Sequence, residues 1–340
     1  MLQEAWLARG LVARALLPLS WLYAAITAAR RTAYLIGWLR IESPGIAVIV
    51  VGNLVAGGAG KTPTVMAVVE ALRKGGYTPG VISRGYGGRA EGPLEVTRET
   101  PVDQCGDEPL LIHLRARAPV VVGRRRVAAA RHLSASHARV DVIVSDDGLQ
   151  HLALGREAQV MVFDERGAGN GWLLPAGPLR EVVPDRVPAR TLVVYNAPHA
   201  STALPGTLAR RGLRGVASLA GWWRGAPAAM DALAALRARP IVAAAGLARP
   251  ERFFDMLRAA GLSIAPLDLP DHHDYATLPW PADTPDVIVT EKDAIKLRSD
   301  TVGTTRVWVA PLDFELDAAF VTALTALLPP PGNHHGNTPA

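Results

Sequence analysis

An α/β fold built on a mainly parallel sheet with helices on both faces is predicted by this sequence, together with a second, smaller α/β domain and an N-terminal membrane-associated helix. Three observations predict it. Short continuous runs of β-branched residues recur along the chain, helix-length stretches separate them, and a glycine-rich loop follows the first run directly. With 49% apolar and 20% charged residues among 340, the chain can bury a real core, which excludes disorder as its dominant state. Its single cysteine, Cys105, excludes an internal disulfide and any metal framework of paired cysteines, and points to a reducing compartment.

The first segment is set apart by its charge. Residues 1–40 hold Arg9, Arg14, Arg30, Arg31 and Arg40 against Glu4 alone, so most of the net +5 lies there. That distribution argues against an extended basic groove for nucleic acid. Ala15 to Ala29 carries no charge, but Pro18, Ser20 and Thr27 interrupt a run already short of the about 20 apolar residues that a spanning helix needs. Trp6, Trp21, Tyr23, Tyr34 and Trp38 alternate with the arginines, a mixture suited to lipid headgroups, so the segment is expected to lie on a membrane surface. A helix packed on its own domain is the alternative, because helical apolar spacing looks the same in both settings. A cleaved leader fits poorly, since Leu2-Gln3-Glu4 is not a basic n-region.

Ile46–Val51 (IAVIVV) reads as the first buried parallel strand. Further strands are expected at Val120–Val122, Val140–Val144, Val160–Phe163, Leu192–Tyr195, Pro240–Ala245 and Asp286–Val289, and helices over Thr64–Lys74 and Val127–His137. Turn residues crowd around Pro175-Ala176-Gly177-Pro178, Pro184 and Pro188, which places the passage to the second domain near residue 190. The expected organisation is therefore a membrane-associated segment over 1–40, a phosphate-loop domain over 41–190, a second α/β domain over 191–330 and a tail over 331–340. In that tail, His334-His335 reads as part of a frayed terminus rather than a metal site.

Val55-Ala56-Gly57-Gly58-Ala59-Gly60-Lys61-Thr62 stands between the first strand and a helical pattern, as a nucleotide-binding phosphate loop of the GGxGKT type. Glycines let successive N–H groups turn toward phosphate oxygens, the helix presents its positive end, Lys61 reaches the β/γ-phosphates, and Thr62 can ligate magnesium. At the end of Val140–Val144 stands Ser145-Asp146-Asp147-Gly148, where an α/β sheet opens its ligand crevice. Asp-Asp-Gly is also ordinary turn chemistry, but beside a phosphate loop one of the two acids is the natural magnesium partner. Gly106-Asp107-Glu108-Pro109 adds two acids in a loop expected near the same crevice. Asp271-His272-His273-Asp274 offers a candidate proton acceptor. Arginines in Ser83–Arg89, Gly123–Arg126 and Gly177–Glu181 could clamp phosphate as a set.

In order, GNLVAGGAGKTP, SRGYGGR, GDEP, DDGLQH, PAGPLRE, DHHDY and TEKDAIKL resemble the tetraacyldisaccharide 4'-kinase family of the lipid A pathway, over residues 52–297. The resemblance implies a P-loop NTPase-like kinase that uses ATP and Mg2+ to phosphorylate the 4'-hydroxyl of an acylated glucosamine disaccharide 1-phosphate, giving lipid IVA. It implies Asp107 and His272 as the pair activating the acceptor, with His273 the alternative histidine. Thr62, Glu108 and Asp146 match positions around magnesium, and Tyr86, His151, Arg180 and Glu181 match positions lining the acceptor and phosphate cleft. It also implies closure of two halves over the nucleotide. A peripheral or monotopic location on the cytoplasmic face of the bacterial inner membrane is expected, without nucleic acid or an obligate protein partner. Two other classes remain open on the residues alone: a GTPase or metallochaperone-type switch, although no Asn-Lys-x-Asp segment is present, and a membrane-associated ATPase that organises partners without phosphorylating lipid.

Overall fold

Ile46 to Val51 folds as expected into the strand at the middle of the molecule, and the computed structural model describes the chain around it from residue 6 to residue 332. His334-His335 and most of the expected tail lie outside the described residues. Strand β1 (Ala47–Gly52) is buried at every position, so it needs apolar side chains on both faces. It pairs in parallel with β5 (Val142–Asp146) and β6 (Ala158–Asp164). The full sheet adds β2 (Pro79–Ser83), β3 (Leu94–Val96), β4 (Val120–Val122), β7 (Thr191–Asn196) and β8 (Thr207–Leu208), in the order β3-β4-β2-β5-β1-β6-β7-β8. Only β3 runs antiparallel to its neighbour in this sheet.

Helix Lys61–Lys74 lays Val65, Val68, Val69 and Leu72 on one face of the sheet, and helix Arg126–Ser136 lays Val127, Ala130 and Leu133 on the other. Strand β2 is absent from the sequence expectation because Pro79-Gly80 reads as turn chemistry. Gly80 is required there for packing, since a Cβ would lie 2.7 Å from Leu133.

A second sheet contains β10 (Ala217–Ser218), β11 (Ile241–Ala245), β12 (Ile264–Asp268), β13 (Asp286–Thr290) and β14 (Arg306–Ala310), ordered β10-β14-β13-β11-β12. A two-stranded ribbon pairs β9 (Arg210–Leu213) with β15 (Leu312–Glu315), and its two strands bracket the second sheet in chain order. The expected passage near residue 190 is thus corrected: β7 and β8 follow it and still belong to the first sheet. The Pro-rich stretch misleads because it is a long surface excursion between β6 and β7, not a linker. One apolar cluster runs from Val65 and Leu110 to Val289 and Ala294, joining the halves on the side that carries the site.

The N-terminal region forms short helix Leu11–Ala15 and the longer helix Leu17–Leu35. Its polarity is inverted relative to a helix that buries apolar residues in its own core. Trp21 is 66% exposed and Ile26 59%, while Ser20 is only 4% exposed. Ser20 Oγ donates to Leu173 O at 2.9 Å and accepts from Ala176 N at 2.9 Å, so its polar face docks on the Pro-rich excursion. One face of the segment therefore packs on the body, and the other offers apolar groups outward. Among the described residues, no helix is long and apolar enough to cross a membrane.

Candidate active site

Gly60 breaks the backbone at φ +84° so that the helix can begin at Lys61, and a Cβ there would lie 1.7 Å from Asn196 Nδ2. Glycine is the residue that meets both the left-handed backbone and the close approach. Asn196 Nδ2 donates to Ala59 O at 2.9 Å, and Asn53 Nδ2 donates to Val55 O at 2.6 Å and Gly57 O at 3.1 Å. Arg166 adds donors to Ala56 O and Gly58 O, both at 3.2 Å. These partners take the loop carbonyls, leaving the amides at the helix N-terminus for an anion. Asn53, Arg166 and Asn196 were not anticipated from the motif. A polar residue flanking a strand end is their only sequence signal.

Lys61 Nζ donates to Asn53 Oδ1 at 3.3 Å and lies 3.6 Å from Asp147 Oδ1. Asp147 also receives Arg180 at 3.0 Å, and its φ of 46° is the left-handed turn that carries the chain away from β5. Arg180 is placed there because its segment docks on the phosphate loop: Ala56 N donates to Pro178 O and Arg180 N to Leu54 O, each at 2.7 Å. The other arginine loops divide. Arg126 is buried, donating to Gly123 O and Asp146 O, whereas Arg84, Arg89, Arg124 and Arg125 are exposed.

Asp146 is buried, accepts from Ser83 Oγ at 3.0 Å through Oδ2, and has no hydrogen-bond partner for Oδ1. Burial pushes its carboxyl up to about 7, and repulsion from Glu108 and Asp147 adds to this against the attraction of Lys61. An orphaned buried oxygen among like charges is the donor chemistry of a hard cation. Thr62, Glu108 and Asp146 could hold magnesium, whose remaining positions fall to phosphate and water. Among the described residues, no three His, Cys, Asp or Glu side chains form a metal cage.

The sign of this shift gives an expected result. The native carboxyl binds its proton well above the about 3.9 of an unfolded aspartate, so stability without metal falls as pH rises from about 4 to 7. Asp146→Asn, measured by thermal unfolding without nucleotide or metal, should raise the midpoint at pH 8 and lose that advantage near pH 4. An Asn variant that is less stable at pH 8 contradicts the assignment.

Asp107 opens helix Asp107–Ala116 instead of lying in a loop. Its Oδ2 is 2.8 Å from His272 Nδ1, across 165 residues of sequence and between the two halves. Burial raises this carboxyl, but the His272 hydrogen bond and the charges of Lys292 and Lys296 outweigh it and hold it at about 2. The same hydrogen bond raises His272, against burial and Lys292. His273 faces elsewhere: its Nδ1 accepts from Tyr275 N at 3.1 Å and its ring meets Tyr275 edge-on at 4.7 Å. Of the two histidines, His272 is the one paired with Asp107.

Two cavities lie here, the pair lining one and its neighbours Glu108 and Asp271 the other. One of about 260 Å³ is lined by Gly60, Lys61, Thr62, Glu108, Asp271 and Lys292. The other, about 640 Å³, is lined by Tyr86, Asp107, His272 and Lys296, and the Tyr86 ring centroid is 6.2 Å from that of His272. Glu181 lines a different cavity and pairs with Arg31 of the N-terminal helix at 3.9 Å. His151 is half-buried, and burial with the Arg126 and Arg156 charges pushes its imidazole down to about 4. The helices behind the pair are clamped together. Glu291 Oε1, buried, takes Arg115 at 3.1 Å and Trp222 Nε1 at 2.8 Å, tying helix Asp107–Ala116 to helix Glu291–Ala294.

Known proteins share this architecture and sequence. A family model described as Tetraacyldisaccharide-1-P 4'-kinase matches residues 12–329. A tetraacyldisaccharide 4'-kinase of Methylibium petroleiphilum is 57% identical over 97% of this chain and 93% of its own. Another, from Leptothrix cholodnii, is 54% identical over 96% of this chain and 95% of its own. The crystal structure of LpxK from Aquifex aeolicus in complex with ATP superposes with a TM-score of 0.77 at 25% identity, covering 93% of this chain and 99% of that one. With a phosphate loop on one sheet, an acid–histidine pair joining it to the second, and relatives matched along nearly the full length, this chain belongs to the tetraacyldisaccharide-1-phosphate 4'-kinase family.

Proposed function

We propose that the chain transfers the γ-phosphoryl group of ATP to the 4'-hydroxyl of tetraacyldisaccharide 1-phosphate, forming lipid IVA in lipid A biosynthesis. The observation that carries the reading is the Asp107–His272 contact of 2.8 Å on the wall of a cavity open to an acceptor, with the adjacent Glu108 and Asp271 lining the phosphate-loop cavity. A switch GTPase or partner-organising ATPase has no use for a histidine base that lines an acceptor cavity beside its phosphate loop. The loop amides from Gly57 to Thr62 and the Lys61 ammonium bind the phosphates. Asp107 holds the His272 ring through Nδ1, which leaves Nε2 to take the hydroxyl proton. Thr62, Glu108 and Asp146 position magnesium, which when bound neutralises charge on the phosphate oxygens. Tyr86, His151, Arg180 and Glu181 are assigned to the acceptor and phosphate cleft. Arg180 does so beside Asp147, and Glu181 beside an apolar cavity of about 510 Å³ lined by Leu35, Ile41, Leu152 and Val182. Incubation with labelled ATP or GTP and detergent-solubilised acyl-disaccharide tests this. Label should enter lipid from ATP, and hydrolysis without labelled lipid would favour the ATPase reading.

The acceptor is a lipid, so we place the enzyme on the cytoplasmic face of the inner membrane, held there by its N-terminal helices. Support comes from the outward Trp21, Leu22, Ile26, Leu35 and Trp38 side chains beside Arg30 and Arg31. Trp21→Ser with Ile26→Ser should weaken sedimentation with anionic vesicles by roughly tenfold while short-chain soluble acceptors still react. Equal sedimentation of variant and wild type would assign the anchor to another surface.

A further inference from the structure

Among the described residues, Lys292 is the one cation that touches the reactive edge of His272. Its Nζ is 3.2 Å from His272 Nε2 and 2.9 Å from Asp271 Oδ1, and its side chain is 17% exposed. Asp107 Oδ2 fixes the proton of the neutral ring on Nδ1, so the Nε2 lone pair is the acceptor and the lysine ammonium its donor. That is the same lone pair a hydroxyl proton would need. Lys292 also lines the phosphate-loop cavity with Gly60, Lys61 and Thr62, so a second and stronger acceptor, a nucleotide phosphate, comes within the sweep of its flexible stem.

We propose that Lys292 exchanges His272 Nε2 for the γ-phosphoryl group of ATP, so that nucleotide binding unmasks the base and adds a second cation to the transferring group. The inference rests on the kinase reading. A multiply charged phosphate oxygen outcompetes a neutral imidazole for an ammonium, which gives the exchange its direction. Proton and bond changes then balance. The acceptor oxygen forms its bond to γ-phosphorus as its proton passes to Nε2, and the bond from γ-phosphorus to the β,γ-bridging oxygen breaks with its electrons leaving on ADP.

The surroundings hold the backbone of Lys292 still, and its Nζ is held by two side chains, Asp271 and His272. Thr290 Oγ1 caps the helix at Asp293 N and donates to the buried Asp293 carboxylate at 2.6 Å. Glu291 is clamped by Arg115 and Trp222. Lys296, one turn on, is held by other groups: its Nζ is tied to His273 O at 2.9 Å and to Asp107 Oδ2 at 3.4 Å, and it lines the other cavity. Two lysines of one short segment thus hold the acid–histidine pair in different ways.

The test uses the full chain and compares Lys292→Met, Lys292→Gln and Lys292→Arg. Calorimetry reads the affinities for ADP and for a non-hydrolysable ATP analogue, and label transfer reads turnover. Lys292→Met and Lys292→Gln should bind the analogue roughly tenfold or more weakly with ADP affinity within about threefold of wild type, and slow transfer by roughly 10²–10³. Lys292→Arg, which keeps the charge but not the shape, should regain part of the preference for the analogue. A purely structural role would lower both affinities alike, and that result overturns the proposal, as does near wild-type transfer by either neutral variant. Wild-type protein that labels no lipid would instead defeat the kinase reading itself.

Discussion

Asp107→Asn and His272→Ala are each expected to slow phosphoryl transfer by roughly 10²–10⁴, and the double variant to be little worse than the poorer single one. A sugar hydroxyl is a poor nucleophile at neutral pH, so the reaction needs its proton taken as attack proceeds. His272 offers Nε2 for this only while Nδ1 is held, and the hold is the 2.8 Å contact with Asp107. Asn keeps the shape of the acid but loses its charge and presents an amide in its place. Removing the ring removes the reason for the acid, which is why the losses should not multiply. The Asn form also spares the fold, because its amide oxygen can still accept from Lys296, which lies 3.4 Å from Asp107 Oδ2. Binding of an ATP analogue should change far less than turnover in all three proteins. Multiplicative losses would show two independent roles, and a defect in His273→Ala with none in His272→Ala would reverse the assignment.

Lys61→Ala should lower turnover by roughly 10²–10³ in a protein that remains folded. The ammonium approaches the site from the first turn of helix Lys61–Lys74, with Asn53 Oδ1 at 3.3 Å and Asp147 Oδ1 at 3.6 Å as its partners. Neither is lost to the fold when the lysine goes, because Asn53 keeps two loop carbonyls and Asp147 keeps Arg180. What disappears is a positive charge facing the group in flight. Thermal unfolding separates this from misfolding, and a well-folded variant with near-normal lipid kinase activity would remove the phosphate loop from the mechanism.

Local chemistry was legible in the sequence and long-range contact was not. The strand, loop and helix around Gly60-Lys61 are contiguous, so their spacing announces them, and the acids at the end of β5 follow from strand-end position. The choice between His272 and His273 could not be read, since it depends on helix Asp107–Ala116 arriving from the other half. His272 at φ 62° turns one ring toward Asp107, and Tyr275 takes the other. Lys292 sits in the TEKDAIKL segment, but nothing local assigns it a role, because its contact with His272 is made across 20 residues of sequence. Strand β2 hid behind Pro79-Gly80, and the border near residue 190 was misplaced because proline density marks irregular backbone whether or not a sheet resumes afterwards. The N-terminal helix was read correctly as apolar and basic, but only its packing on Leu173 and Ala176 shows which face is left outward.

The central claim is that phosphate from ATP arrives on one particular hydroxyl of a lipid. The most direct measurement is phosphorus NMR of the lipid recovered after reaction with tetraacyldisaccharide 1-phosphate, correlated to the sugar protons. The account predicts one new phosphomonoester coupled to the proton at the 4' carbon, appearing together with ADP and forming roughly 10²–10³-fold more slowly with the Lys61→Ala protein. A new ester on any other carbon, or inorganic phosphate with the lipid unchanged, would contradict it.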